Sequence, residues 1–257
     1  YACDETWQYL PLPVVLAHRL TQQLDAARRE LPFLGPDGKA QVTVEYDELG
    51  RPSRIDTVVL SAQHSQDVPQ DELFFELTDK VVMPALSVLP PDENTKLLLD
   101  PAGQFVAGGP DVSTGITGRK VTVDTYGVFA PHGGGSFSGK DPTQVERSGA
   151  YMARYIAKNL VAARLCKRCQ VTLAYAMGRE QPVAVEVDTF GTGKYCTDDC
   201  LAGAVQLLFG LTPGEIVQEL DLLKPRYLRA AAYGHFGQRD FPWECTGKVR
   251  ELRDALL

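Results

Sequence analysis

Two stretches of this chain read almost alike: Gln41-Val-Thr-Val-Glu-Tyr46 and Gln170-Val-Thr-Leu-Ala-Tyr175. Each alternates apolar and polar side chains as a half-buried strand does. Each is followed by turn residues, then a second apolar strand (55–61 and 183–187), then a helical pattern. Two copies of one strand–strand–helix unit predict a duplicated α+β module. The fold class expected is therefore α+β, built from repeated units.

Between and around the copies lie further helical patterns. Val14, Val15, Ala17, Leu20, Leu24 and Ala27 recur at helical spacing within 11–30, and Pro32 closes that run. Residues 67–82 read as an amphipathic helix with Leu73, Phe74, Leu77 and Val81 inward and Asp67 as its N-cap. Leu97, Leu98 and Leu99 form a short strand, 147–165 a long helix, and 200–209 and 213–222 two more, the last closed by Pro225. The boundaries expected are 1–103, 104–146 and 147–257. The middle segment is rich in glycine and polar residues and is the candidate for functional loops.

The charge balance limits what such loops bind. There are 26 Lys and Arg against 33 Asp and Glu, a net charge of −7. That argues against binding nucleic acid by bulk charge, yet leaves room for a small anion held by local cations. No run of about 18 apolar residues suggests a membrane span. The six cysteines include Cys166-Lys-Arg-Cys169 and Cys196-Thr-Asp-Asp-Cys200. The intervening stretch carries two strand patterns rather than a short loop, so reduced thiols are expected rather than structural zinc, with a cytoplasmic setting. Tyr1 is not an initiator Met, and no signal peptide opens the chain, so the sequence reads as a fragment.

Several cations sit beside glycines. Asp37-Gly-Lys39 lies just before the first strand. Gly115-Ile-Thr-Gly-Arg119-Lys120 precedes Val121-Thr-Val-Asp124-Thr-Tyr126, which reads as a strand. His132-Gly-Gly-Gly135 leads into Ser136-Phe-Ser-Gly-Lys140-Asp141. Glycine lets backbone N–H groups approach phosphate oxygens, and Lys or Arg adds charge there. The set Lys39, Arg119, Lys120 and Lys140 therefore points to a polyphosphate. Neither a P-loop nor a dinucleotide fingerprint is present. Mg²⁺ beside a polyphosphate needs few carboxylates; Asp37, Asp111, Asp124, Asp141 and Glu146 are at hand. Asp124 reads equally well as a structural hydrogen-bonding group, and Glu146 as a favourable charge at a helix start. Of the four histidines, His132 beside three glycines is the most suggestive. His235 is expected to pack or hydrogen-bond locally.

Gly133-Gly-Gly-Ser-Phe-Ser-Gly-Lys-Asp-Pro142 resembles the glycine-rich motif of S-adenosylmethionine synthetases. The likeness extends in order through Tyr1-Ala-Cys-Asp-Glu-Thr6, Leu16-Ala-His-Arg-Leu20, Val58-Val-Leu-Ser-Ala-Gln-His64, Gly115 to Lys120, Val123-Asp-Thr-Tyr-Gly127, Val187-Asp-Thr-Phe-Gly191 and Ala232-Tyr-Gly-His-Phe-Gly237. It covers essentially the whole chain.

The resemblance implies synthesis of S-adenosylmethionine from methionine and ATP. Sulfur attacks C5′ of ATP, and the displaced triphosphate is hydrolysed. It further implies Mg²⁺ and K⁺, three similar α+β domains, and a homodimer or dimer of dimers with shared active sites. On this view 1–103 is an incomplete N-terminal-type domain, and 104–146 the substrate-binding segment of the central one. Residue by residue, it assigns Asp37 and Lys39 to ATP, Phe105 to the nucleotide, Arg119 and Lys120 to the phosphates, Ser136 to the lining, and Lys140 to the first lysine of the glycine-rich segment. Lys39, Arg119, Lys120 and Lys140 are the residues expected to act in catalysis. The chain departs from the pattern at Gln104 for Arg, Ser113 for Asp with Asp111 two residues earlier, Gln144 for Lys, and Glu146 for a metal-side Asp. Asp111, Ser113 and Gln144 remain in the expected substrate set, with Glu146 as the metal ligand. These departures leave open an alternative: a catalytically weakened paralogue serving as a structural or regulatory partner. The family's His-Pro-Asp and Gly-Asp-Gln-Gly motifs fall outside this sequence.

Overall fold

The computed structural model describes residues 1–114, 120–224 and 226–257. It divides into two compact units, Leu12–Ile116 and Tyr1–Pro11 with Thr117–Leu257. Each has a three-stranded sheet with helices packed on it, the α+β plan the repeat predicts.

In the first unit, helix α1 (Leu12–Ala27) buries Leu16, Leu20 and Leu24, spaced four apart on one stripe. That stripe meets Ile55, Val58, Leu60 and Ala62 in one hydrophobic core. Those residues lie on β3 (Pro52–His64), which pairs antiparallel with β2 (Leu34–Tyr46). The bend between them is set by Asp47, whose Oδ1 accepts N–H bonds from Leu49 (2.9 Å) and Arg51 (2.8 Å). Strand β4 (Lys96–Leu99) lies parallel to β3, so the chain must cross over between them.

The crossover is helical but irregular. Helix α2 (Gln70–Leu77) runs into a π-helical turn, Thr78–Val82, and then the short α3 (Met83–Ala85). An unbroken α-helix would drive the ring of Pro84 into the carbonyl of Lys80. The wider turn, with Met83 N–H bonded to the Thr78 carbonyl, avoids this. It also carries Val81 and Val82 into the core. The expected helix over 67–82 thus starts later, with Pro69 rather than Asp67 at its N-cap. Phe74 is exposed, because the buried stripe through Leu73 and Leu77 leaves it about 100° round the helix.

In the second unit, β5 (Arg168–Ala174) pairs antiparallel with both β1 (Ala2–Cys3) and β6 (Ala184–Asp188). Helix α5 (Val145–Ala162) packs on β5, and α6 (Asp198–Leu208) on β6. Thr197 caps α6. Helix α7 (Pro213–Glu219) opens with a reciprocal Thr212–Glu215 capping box. Three short or terminal helices complete the unit: α4 (Val121–Asp124), α8 (Tyr227–Ala230) and α9 (Val249–Leu256).

Two expectations differ here. The stretch from Val121 to Tyr126 is a helical turn rather than a strand. Thr125 Oγ1 donates to the Val121 carbonyl (2.8 Å) and Asp124 N–H to the Lys120 carbonyl (2.9 Å), so local bonds satisfy this backbone. The boundaries at 103 and 146 are also not those along which the contacts fall. Buried Arg154 donates to the carbonyls of Tyr1 (2.8 Å), Gln8 (2.6 Å) and Tyr9 (2.9 Å), fastening the first residues to α5. His64 N–H donates to the Phe105 carbonyl (2.9 Å), which ties the region after 104 to β3.

Candidate nucleotide site

The expected site residues form two clusters, one in each unit. In the first unit, Asp37 sits on β2 with its N–H donating to Gln63 Oε1 (3.1 Å). Its Oδ1 accepts from Gly38 N–H (2.8 Å) and its Oδ2 from Gly109 N–H (2.9 Å). Gln63 Nε2 donates to the Val106 carbonyl (3.1 Å), so this glutamine braces the same loop. Gly108 is buried against the Phe105 ring and Asp37. A Cβ there would stand 2.7 Å from Phe105 Cε2, which explains the glycine. Lys39 follows two residues after Asp37 and is exposed, its Cα opposite Ser61. Asp37, Phe105 and the Gly108–Gly109 turn are thus brought together. Asp111 ends the 3₁₀ turn Gly109–Asp111 and is exposed; Ser113, also exposed, donates its N–H to the Gly109 carbonyl (3.0 Å). Gln104 is exposed as well.

The second cluster surrounds the glycine-rich segment. Lys140 Nζ donates to the Ser136 carbonyl (2.7 Å) and pairs with Glu146 Oε2 at 2.5 Å. A Cβ on Gly135 would meet Glu146 Oε2 at 2.9 Å and Lys140 Nζ at 3.1 Å, so the ion pair passes directly over the Gly135 backbone. Gln144, exposed, is the N-cap of α5 and makes no side-chain cap bond. Lys120 is exposed at the start of α4. Arg119 lies outside the described residues. A cavity of about 400 Å³ opens beside the segment, lined by Gly133, Gly135, Phe137, Glu146, Tyr126 and Tyr175 among others.

Behind the segment lies a polar cluster that sequence reasoning did not assemble. Arg147, buried at 3% exposure, donates to the Lys140 carbonyl (2.7 Å) and to Tyr151 Oη (3.0 Å), and stacks over the Tyr227 ring at 4.2 Å. Tyr151 Oη lies 2.7 Å from His235 Nδ1. Burial, with Arg147 nearby, pushes the His235 pKa down to about 4, so its ring is neutral at neutral pH. Burial also raises the pKa of Asp124, whose Oδ2 has no hydrogen-bond partner. His132, the histidine that the sequence favours, is exposed and accepts Gly134 N–H at 3.0 Å. The Tyr233-Gly-His-Phe-Gly237 run around His235 sets a polar residue among aromatics, the one local sign of its burial.

Among the described residues, no group of three or more His, Cys, Asp or Glu side chains could hold a metal ion. Glu146 offers an exposed carboxylate beside the glycine-rich backbone. That fits Mg²⁺ carried by a polyphosphate, which needs one or two protein carboxylates, rather than a dedicated cage.

Residues 1–105 match the central domain of S-adenosylmethionine synthetase, and residues 107–245 match its C-terminal domain. This chain belongs to the S-adenosylmethionine synthetase family. The first match falls where an incomplete N-terminal-type module was expected, and the second begins where a central-domain segment was. The chain is 52% identical over 260 residues to an S-adenosylmethionine synthase from Nocardioides sp.. The alignment covers 99% of this chain and 65% of that relative. The chain therefore spans about two-thirds of the length of that synthetase.

Proposed function

We propose that this chain serves the synthesis of S-adenosylmethionine from methionine and ATP. The observation that carries the reading is the match to two successive synthetase domains with 52% identity to a synthase along the chain. Methionine sulfur is a neutral nucleophile that needs little activation. The barrier lies in parting C5′ from a triphosphate, so fixed positive charge at the leaving group lowers it. Lys39, Arg119, Lys120 and Lys140 are the proposed cations. Asp37, Phe105, Asp111, Ser113, Ser136 and Gln144 are the proposed contacts to ATP and methionine. The Ser136 carbonyl and Glu146 hold the Lys140 ammonium in one orientation before substrate arrives, which supports a preorganised role for it.

Mg²⁺ on the triphosphate would be held by Glu146 and would supply further neutralisation of the departing oxygens. K⁺, a homodimer or dimer of dimers, and a cytoplasmic setting belong to the same proposal through the family resemblance. Neither the fold nor the comparisons favour a non-catalytic paralogue.

The test is an assay of the intact protein with ATP, methionine, Mg²⁺ and K⁺. We expect S-adenosylmethionine, and a fall of roughly 10²-fold or more in kcat/KM for Lys140→Ala, the scale of a lost transition-state contact. Neither product nor ATP binding from the intact wild type would overturn the reading.

A further inference from the structure

We infer that His235 is a positioning residue that fixes the Lys120 and Lys140 segments to each other, an inference that rests on the proposed function. Its backbone N–H donates to the carbonyl of Asp124 (2.7 Å), the last residue of α4. Lys120 stands at the start of that single turn, tied by the bond from Asp124 N–H. The side chain of His235 reaches the other segment, with Nε2 at 3.4 Å from Ser138 Oγ, two residues before Lys140. The ring of Phe137 meets the imidazole edge-on at 5.2 Å, and His235 is fully buried. Its own carbonyl accepts the Trp243 indole N–H at 2.8 Å, which anchors the residue from behind.

The chemistry of the cluster fixes the direction of its hydrogen bonds. Arginine has no acceptor, so Arg147 Nε–H donates to Tyr151 Oη. If His235 Nδ1 also donated to that oxygen, the Tyr151 hydroxyl hydrogen would be left buried without an acceptor, which is costly. Tyr151 therefore donates to Nδ1, and the neutral ring carries its hydrogen on Nε2. Ser138 Oγ, at 3.4 Å, is the acceptor within hydrogen-bond reach of that N–H, while Asp124 Oδ2 lies beyond it at 4.0 Å. The series runs from Arg147, which also holds the Lys140 carbonyl, through Tyr151 and His235, back to the glycine-rich segment. It is a closed brace around the backbone that carries Lys140.

The experiment uses the intact protein and inorganic tripolyphosphate with Mg²⁺ as probe, read by calorimetry beside steady-state kinetics. His235→Gln keeps a donor at the Nε2 position. His235→Asn keeps an acceptor for Tyr151 but falls short of Ser138. Ser138→Ala removes the acceptor alone. We expect His235→Asn and Ser138→Ala to weaken tripolyphosphate binding and raise KM for ATP about tenfold, the scale of one lost hydrogen bond. KM for methionine should stay within about twofold, and His235→Gln should recover most of the loss; such selective rescue is not expected of a purely structural role. Amide exchange across residues 133–140 should quicken in His235→Asn. Wild-type affinity in both His235→Asn and Ser138→Ala would overturn the inference and leave the proposed function standing. So would equal losses in His235→Asn and His235→Gln that track a fall in Tm. A wild type that binds no tripolyphosphate would overturn both.

Discussion

The two units share a plan, a three-stranded sheet backed by helices, but hold themselves together by different means. In Leu12–Ile116 the core is aliphatic, and its buried ionisable residues among those described are His64 and Asp100. In the unit of Tyr1–Pro11 and Thr117–Leu257, the core contains Arg147, Arg154, Lys158, His235 and Glu244. Arg154 pairs with Glu244 at 2.9 Å and Lys158 does so at 2.7 Å, all three buried. Arg154 also donates to three backbone carbonyls, so its planar fork is filled. Aliphatic packing suits a unit whose site residues ride on a strand and an adjoining turn. Directed polar bonds suit one whose site residues ride on loops, where packing alone specifies a backbone path poorly.

The sharpest way to break this contrast is to remove its centre. Glu244→Ala leaves two buried cations unpaired and should cost about 3–5 kcal/mol. Leu20→Ala, at the matching depth of the other unit, should cost about 2–5 kcal/mol through a cavity alone. Urea unfolding at two pH values separates them. The Glu244 pKa is held below its ordinary value by Arg154 and Lys158, which outweigh burial. The stability it contributes is present above its unfolded pKa and lost as pH falls through the folded one. The Leu20 variant should parallel wild type with pH, and the Glu244 variant should not.

A second effect, roughly 3 kcal/mol at most, belongs to His235. Folded, its pKa is about 4, against 6.5 ordinarily. Below pH 6.5 the unfolded chain takes up a proton that the folded chain refuses. Its term therefore lowers stability as pH drops from about 6.5 to 4 and is flat above that window. The difference between wild type and His235→Asn in urea midpoints, taken from pH 7 to pH 4.5, isolates it. The smallest change concerns secondary structure alone: Thr212→Ala removes half of the α7 capping box and should cost about 1 kcal/mol, measured by thermal unfolding.

How much was legible follows the same division. The aliphatic unit announces itself by periodicity, since Leu20 and Leu24 or Val58 and Leu60 write their faces into the sequence, although the buried Leu16 falls on the helix face in place of the expected, half-buried Ala17. The Asp37–Gly38–Lys39 segment is legible because Gly38 backs onto Leu24 and the Ser61 carbonyl, and the glycine-rich segment because Gly134 and Gly139 take positive φ. The polar brace was not. Arg147, Tyr151 and His235 are 4 and 84 residues apart along the series, and nothing local marks a partner so distant. Asp124 was misplaced on a strand because β-branched neighbours favour one, while the bonds that decide, from Thr125 and Asp124, return to the chain's own preceding turn.

The π-helical turn at Thr78–Val82 makes residue count itself a constraint. Deleting a single residue there would restore ordinary α winding and set the Pro84 ring against the carbonyl four residues before it. Val82, Ala85 and Leu86, each at 1% exposure or less, leave no room beside them for the kink that would relieve that clash. The bend at Asp47–Arg51, exposed around Gly50 at φ 70°, is a far safer place for this molecule to grow or shorten.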